Sequence, residues 1–153
     1  MLTTTPEPSI HSLQFSKEIP IEASMQIVFD SILEQLGQGS ELEEGPMPMM
    51  LEPWPGGRWY RDLGEGKGHL WGHVQVIKPP TLIEITGPLF MSYAAVSHIQ
   101  YRVKAMENHS LLTFTHRAMG QIPAEHREGV SRGWSYGLNR IREIAECRED
   151  VGE

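Results

Sequence analysis

The sequence predicts an α+β domain: a curved antiparallel β-sheet of about seven strands wrapped on a long C-terminal helix, with a short helix after strand one. Three observations carry this. An alternating segment precedes an apolar helical stripe near the N-terminus. Six short alternating segments separated by turn chemistry fill the middle. From Pro123 the apolar period returns to 3.6. At 153 residues the chain suits one domain with a sizeable core. We place a flexible lead-in at residues 1–10, where Pro6 and Pro8 fall, the domain at 11–148 and a C-terminal tail at 149–153.

Taken in order, His11–Pro20 alternates Leu13 and Phe15 with polar neighbours and reads as a first strand. Ser24 can cap a helix that Gly37 ends, and Ile27, Phe29, Ile32, Leu33 and Leu36 form its apolar stripe. The acidic connector "QGSELEEGP" leaves room for one short helical turn. Then come "MPMMLEPW", "RWYRDL", "HLWGHVQVI", "TLIEIT", "AVSHIQYRVKA" and "SLLTFTHRAMG", an antiparallel meander. Val130, Trp134, Leu138, Ile141 and Ala145 recur at steps of three or four on a final helix of roughly 25 residues, about 35–40 Å long. Pro123 suits its first turn. The concave face of the sheet is expected to bury against this helix, and the first strand to pair at the edge beside the last.

Composition excludes several classes. Net charge is −7, from 13 basic and 20 acidic residues, with no basic cluster to follow a nucleic-acid backbone. No apolar run approaches the roughly 18 residues needed to cross a bilayer, and the N-terminus shows neither the basic start nor the apolar segment of a secretory signal. Cys147 stands alone, which fits a reducing, cytoplasmic location. We expect no nucleic-acid partner, no membrane partner and no cofactor.

The stretch "GKGHLWGHV" places His69 and His73 four residues apart. On a helix they could share a zinc ion. The Gly-rich approach and the alternation of Leu70, Val74 and Val76 argue for a strand, where same-face residues four apart lie about 13 Å from each other. Metal–nitrogen bonds are about 2 Å, so one ion cannot bridge them, and no metal is expected. If "GEGKG" is a five-residue loop and Leu63 pairs with His69, then Arg61 faces Trp71 and Trp59 faces His73. Those four would form one face, with Tyr60, Leu70, Val74 and Val76 on the other.

Other residues carry chemical potential. His116 shares a face with Leu112 and Phe114; it is either a core histidine or a polar anchor in an apolar pocket. Tyr101, between Ile99 and Val103, has the same two readings. Trp134 sits in the apolar stripe, flanked by Gly133 and Gly137, which would let the helix approach the sheet closely or bend. Glu34, Glu43, Glu44, Glu125 and Glu128 read as solvated. "GEGKG" lacks the Ser or Thr of a phosphate loop.

Four stretches together resemble a known family: "PIEASMQIVFDSI", "PGGRWYRD", "GHVQVIKPPTLIEIT" and "LLTFTHRAMG…GVSRGWSYGLNRI". In order they resemble the START-like (SRPBCC) superfamily, which includes the birch-pollen allergen, lipid-transfer START domains and polyketide cyclases. Within it they resemble the branch named for the activator of the heat-shock-protein-ninety ATPase. The resemblance implies the helix-grip fold, a cavity between sheet and last helix, and an inward aromatic after "GGR". It therefore turns Trp59 and Trp71 toward the cavity; the alternative is an aromatic patch on the convex face serving as a homodimer contact. One departure is that "LGQGSELEEGPM" lacks the Trp that relatives often carry after the first helix.

The reading is a binding protein for a hydrophobic or aromatic small molecule, with Trp59, Arg61, Trp71, His73, Tyr101, Phe114, His116 and Trp134 as candidate ligand-binding residues. The alternatives are a polyketide-cyclase-like enzyme using His116 or His73 as general base, and a chaperone-associated interaction domain.

Overall fold

A computed structural model describes residues 1–5 and 9–152. The expected lead-in falls partly on residues 6–8, which lie outside the described residues.

The elements run β1 (His11–Ile21), α1 (Met25–Leu36), β2 (Glu41–Leu42), β3 (Gly45–Pro46), β4 (Met50–Leu51), β5 (Arg58–Gly64), β6 (Lys67–Lys78), β7 (Leu82–Gly87), β8 (Ala95–Ala105), β9 (Ser110–Gly120) and α2 (Ala124–Asp150). Seven strands make one antiparallel sheet in the order β1-β9-β8-β7-β6-β5-β4. As the sequence predicts, β1 closes the meander by pairing with β9, from His11 opposite Gly120 to Ile21 opposite Ser110. Among the described residues no helix is long and apolar enough to cross a membrane.

Local chemistry sets the helix ends. Ser24 accepts the Ile27 amide at 3.3 Å, and the Gly37 amide donates to Glu34 O at 3.1 Å. Pro123 stands as the cap of α2, where its missing N–H costs nothing. The expected α2 stripe is the buried one: Val130, Leu138, Ile141 and Ala145, with Trp134 half-buried against the same core. That core joins Phe29 and Ile32 of α1 to Ile83, Ile85, Ile99, Leu112 and Phe114 of the sheet, all fully buried.

The connector after α1 departs from expectation. In place of a helical turn it forms the two-stranded hairpin β2–β3, which turns at Glu43 and Glu44 and resumes at Gly45 with φ +134°, a conformation that glycine adopts freely. Polar contacts fasten the hairpin to α2. Tyr136 Oη donates to Glu41 Oε1 at 3.1 Å, and Arg132 grips both Glu43 carboxylate oxygens, at 2.7 and 3.1 Å.

The β5–β6 register corrects the sequence reading. The loop is two residues, Glu65 and Gly66, both at positive φ, with Gly64 opposite Lys67. Arg61 therefore faces His69, not Trp71, and Trp59 faces Gly72, not His73. The register shifts between Trp59 and Tyr60, leaving Trp71 as an extra residue on β6. This β-bulge reverses the inward–outward phase as far as Val74, where a second register shift, between Val74 and Val76, changes it again. Val74 turns into the core at 2% exposed, and His73 turns outward opposite exposed Arg58. The expected single face of Trp59, Arg61, Trp71 and His73 thus breaks at the bulge. His69, whose ring lies 6.1 Å from Trp71, and His73 end on opposite faces.

Candidate functional site

Between the sheet and α2 lies a cavity of about 880 Å³. Its inner wall is aromatic. Trp59 and Trp71 meet edge to face with centroids 5.0 Å apart; Trp71 meets Phe90 at 5.9 Å, and Phe90 meets Trp134 at 6.2 Å. Behind Trp134 stands Phe114 at 4.6 Å, which in turn touches Tyr101 at 4.8 Å. Such tilted geometries suit aromatic rings, whose edges are positive and faces negative.

Each ring is held for a structural reason. Trp59 is 3% exposed and donates Nε1–H to Leu36 O at 2.7 Å, which satisfies a carbonyl at the end of α1. The bulge presents Trp71 and Trp59 to the same cavity. Phe90 follows Leu89, a fully buried non-glycine residue at φ +57° whose amide donates to Trp71 O at 2.7 Å. That contact ties the β7–β8 loop to the bulge and aims Phe90 inward.

Trp134 donates Nε1–H to His116 Nδ1 at 2.9 Å, and His116 Nε2 lies 3.0 Å from Ser97 Oγ. An indole nitrogen only donates, so Nδ1 accepts; the imidazole proton sits on Nε2 and goes to Ser97. His116 is completely buried, and desolvation pushes its pKa down to about 4, leaving it neutral. Burial likewise raises the pKa of the Tyr101 phenol.

Trp59, Trp71, Tyr101 and Trp134 line the cavity. Phe114 and His116 back the wall from behind Trp134 and are not among its lining residues. Arg61 and His73 lie off it, Arg61 half-buried beside His69 in the ladder and His73 exposed. Sequence reasoning missed Phe90, which lies in a loop without periodic signal. It also missed Gln35, a polar residue on the buried side of α1. Glu43, Glu44 and Glu125, read as solvated, stand with Arg132 at the cavity mouth. Tyr93 Oη and His126 Nδ1, 2.6 Å apart, tie the start of α2 to the β7–β8 loop.

Among the described residues, two polar atoms beside this cavity are buried without a hydrogen-bond partner: Trp71 Nε1, a donor, and Gln35 Oε1, an acceptor. Gln35 Nε2 is engaged by Glu41 O at 3.0 Å, which orients the free oxygen. Along α2, Gly129, Gly133 and Gly137 present no side chain to the cavity; a Cβ at Gly129 or Gly133 would meet nothing within 4 Å. Among the described residues no cluster of three His, Cys, Asp or Glu side chains is placed to hold a metal ion.

The family model for activator of Hsp90 ATPase homolog 1-like proteins matches residues 45–146, well over half of the chain. The chain belongs to that family. As an activator-homolog-like protein it shares the helix-grip fold with solved structures of low identity. A protein from Rhizobium leguminosarum aligns with TM-score 0.71 and 17% identity, over 90% of this chain and 97% of that one. The solved structure of Ara h 8.0201 aligns with TM-score 0.63 and 12% identity, over 90% of this chain and 98% of that one. The di-domain ARO/CYC StfQ from the steffimycin biosynthetic pathway aligns with TM-score 0.67 and 12% identity, over 92% of this chain and 52% of that one. No curated protein matches. At these identities the likeness speaks for the fold alone.

Proposed function

We propose that this protein binds one small, largely apolar or aromatic molecule in the cavity between the sheet and α2. The observation that carries the reading is the pairing of an aromatic wall with two unsatisfied polar atoms. A volume of about 880 Å³ lies within the usual range for small-molecule sites. Leaving a buried donor and a buried acceptor unpaired is costly, about 1–3 kcal/mol each, and a ligand carrying one acceptor and one donor would relieve both. The resemblance of the sequence to the START-like superfamily, which includes lipid-transfer domains, supports the same reading. Trp59, Trp71, Tyr101 and Trp134 make the contacts; Phe114 and His116 hold Trp134 in place. The lone exposed Cys147 supports a reducing, cytoplasmic setting.

The enzyme alternative has less support. Both ring nitrogens of His116 are engaged and Trp134 stands between it and the cavity, while His73 faces outward. The chaperone-associated alternative rests on the family description alone.

Titration with the neutral dye N-phenyl-1-naphthylamine, read by tryptophan quenching, tests the reading. Saturable one-to-one binding is expected; quenching that rises linearly without saturation overturns it.

A further inference from the structure

The cavity mouth carries a charge pattern that the apolar wall does not explain. It runs along α2 from Glu125 to Gly137, about 18 Å at 1.5 Å per residue. Among the described residues that line it, the formal charges are those of Glu43, Glu44 and Glu125 against Arg132, with His126 counted as neutral. Glu43 matches Arg132 through two hydrogen bonds. Glu44 and Glu125 are then left as two net negative charges, one on the hairpin and one on the first turn of α2.

One further feature points the same way. Gln35, only 7% exposed, lines the cavity with its Oε1 unpartnered among the described residues, a carbonyl dipole with its negative end free. A carboxylate or phosphate ligand would meet this mouth with like charge.

We propose that the cavity selects a cationic amphiphile: an amine whose ammonium group sits at the acidic mouth and whose apolar or aromatic body lies among the indole rings. This rests on the binding reading above and names its ligand class. The mouth's carboxylates supply the charge selectivity, and the gap in side chains at Gly129 and Gly133 gives the ligand passage.

The test uses three probes with one ring system and different charge: 2-naphthylmethylammonium, 2-naphthylmethanol and 2-naphthoate, titrated by calorimetry at low ionic strength. Glu44 and Glu125 give the mouth a net negative potential, so the ammonium compound should bind about tenfold tighter than the alcohol and the carboxylate weakest. The advantage should shrink to within about threefold in about 0.5 M salt, where charges are screened over a few ångströms. It should shrink similarly in the Glu44→Gln/Glu125→Gln double variant, whose sites are exposed and whose fold is checked by its melting curve. If the alcohol binds as tightly as the ammonium compound, or the advantage survives in the double variant, the cation proposal falls while the cavity remains a binding site. If none of the three binds, the binding reading falls and the proposal with it.

Discussion

Trp134 gives its indole N–H to His116 Nδ1 across 2.9 Å, and this one contact decides which nitrogen of the histidine carries the proton. A second proton would have to enter at Nδ1, where the indole hydrogen already points. Folding and acidification therefore compete at this pair.

The first prediction follows from that competition. The unfolded histidine titrates near 6.5 and the folded one near 4. Between those values the unfolded chain binds the extra proton, so stability rises with pH there. The contribution is fully present above about pH 6.5 and is lost progressively as pH falls through about 4, amounting to about 3 kcal/mol. Urea unfolding of wild type and His116→Gln at pH 7 and pH 4.5 checks it. The variant should lose much less stability than wild type between the two values; equal losses would remove His116 as the cause.

Replacing Trp134 with Phe keeps the ring and deletes the donor. His116 Nδ1 then stays buried without a partner, and the expected cost is about 1–2 kcal/mol. The same change frees the tautomer. Long-range proton–nitrogen NMR should show the wild-type proton confined to Nε2 and a mixture in the variant. An unchanged nitrogen pattern would mean that Ser97 alone sets the tautomer.

Trp59→Phe removes the 2.7 Å bond to Leu36 O and leaves a buried carbonyl at the end of α1 unpaired. A loss of about 1–3 kcal/mol is expected, read as a lower denaturant midpoint with an unchanged slope. A loss below about 0.3 kcal/mol would show that the carbonyl finds another donor.

One substitution should have opposite signs at two glycines. A Cβ at Gly133 meets nothing within 4 Å, so Gly133→Ala should stabilise α2 by up to about 1 kcal/mol. At Gly72 a Cβ would lie 2.7 Å from Thr86 O and 2.9 Å from Ile85 Cγ2, forcing β6 away from β7. Gly72→Ala should cost more than about 2 kcal/mol. Gly133→Leu extends the first test: its melting temperature should stay close to that of the alanine variant while N-phenyl-1-naphthylamine affinity falls at least about tenfold, because the side chain enters the cavity. Undiminished affinity would place the dye elsewhere.

The elements were legible because each has a local cause: the Ser24 cap, the stripe from Val130 to Ala145, and the turn residues between strands. Pairing β1 with β9 followed from counting free edges. The β5–β6 faces were not legible, since alternation reads the inward and outward sides only while the ladder stays regular. One extra residue at Trp71 reverses the assignments from Gly72 to Val74, a second register shift between Val74 and Val76 changes the phase again, and nothing in the residue types of "HLWGHVQV" announces either. The aromatic half of the candidate site was visible because large rings mark a buried face wherever they recur. Gln35 was invisible because a polar residue on a helix reads as solvated until its neighbours are known. Phe90 depends on Leu89 in a left-handed conformation, a backbone state with no signature in a leucine.

The cavity's walls come from residues 35–47, 59, 71, 90, 101 and 125–137, segments separated by up to about a hundred positions in the chain. No fragment of the protein owns the site. A molecule seated there bridges α1, the β2–β3 hairpin, β5, β6, β8 and α2 at once, so occupancy ties distant stretches of the chain together and should slow proteolysis in all of them.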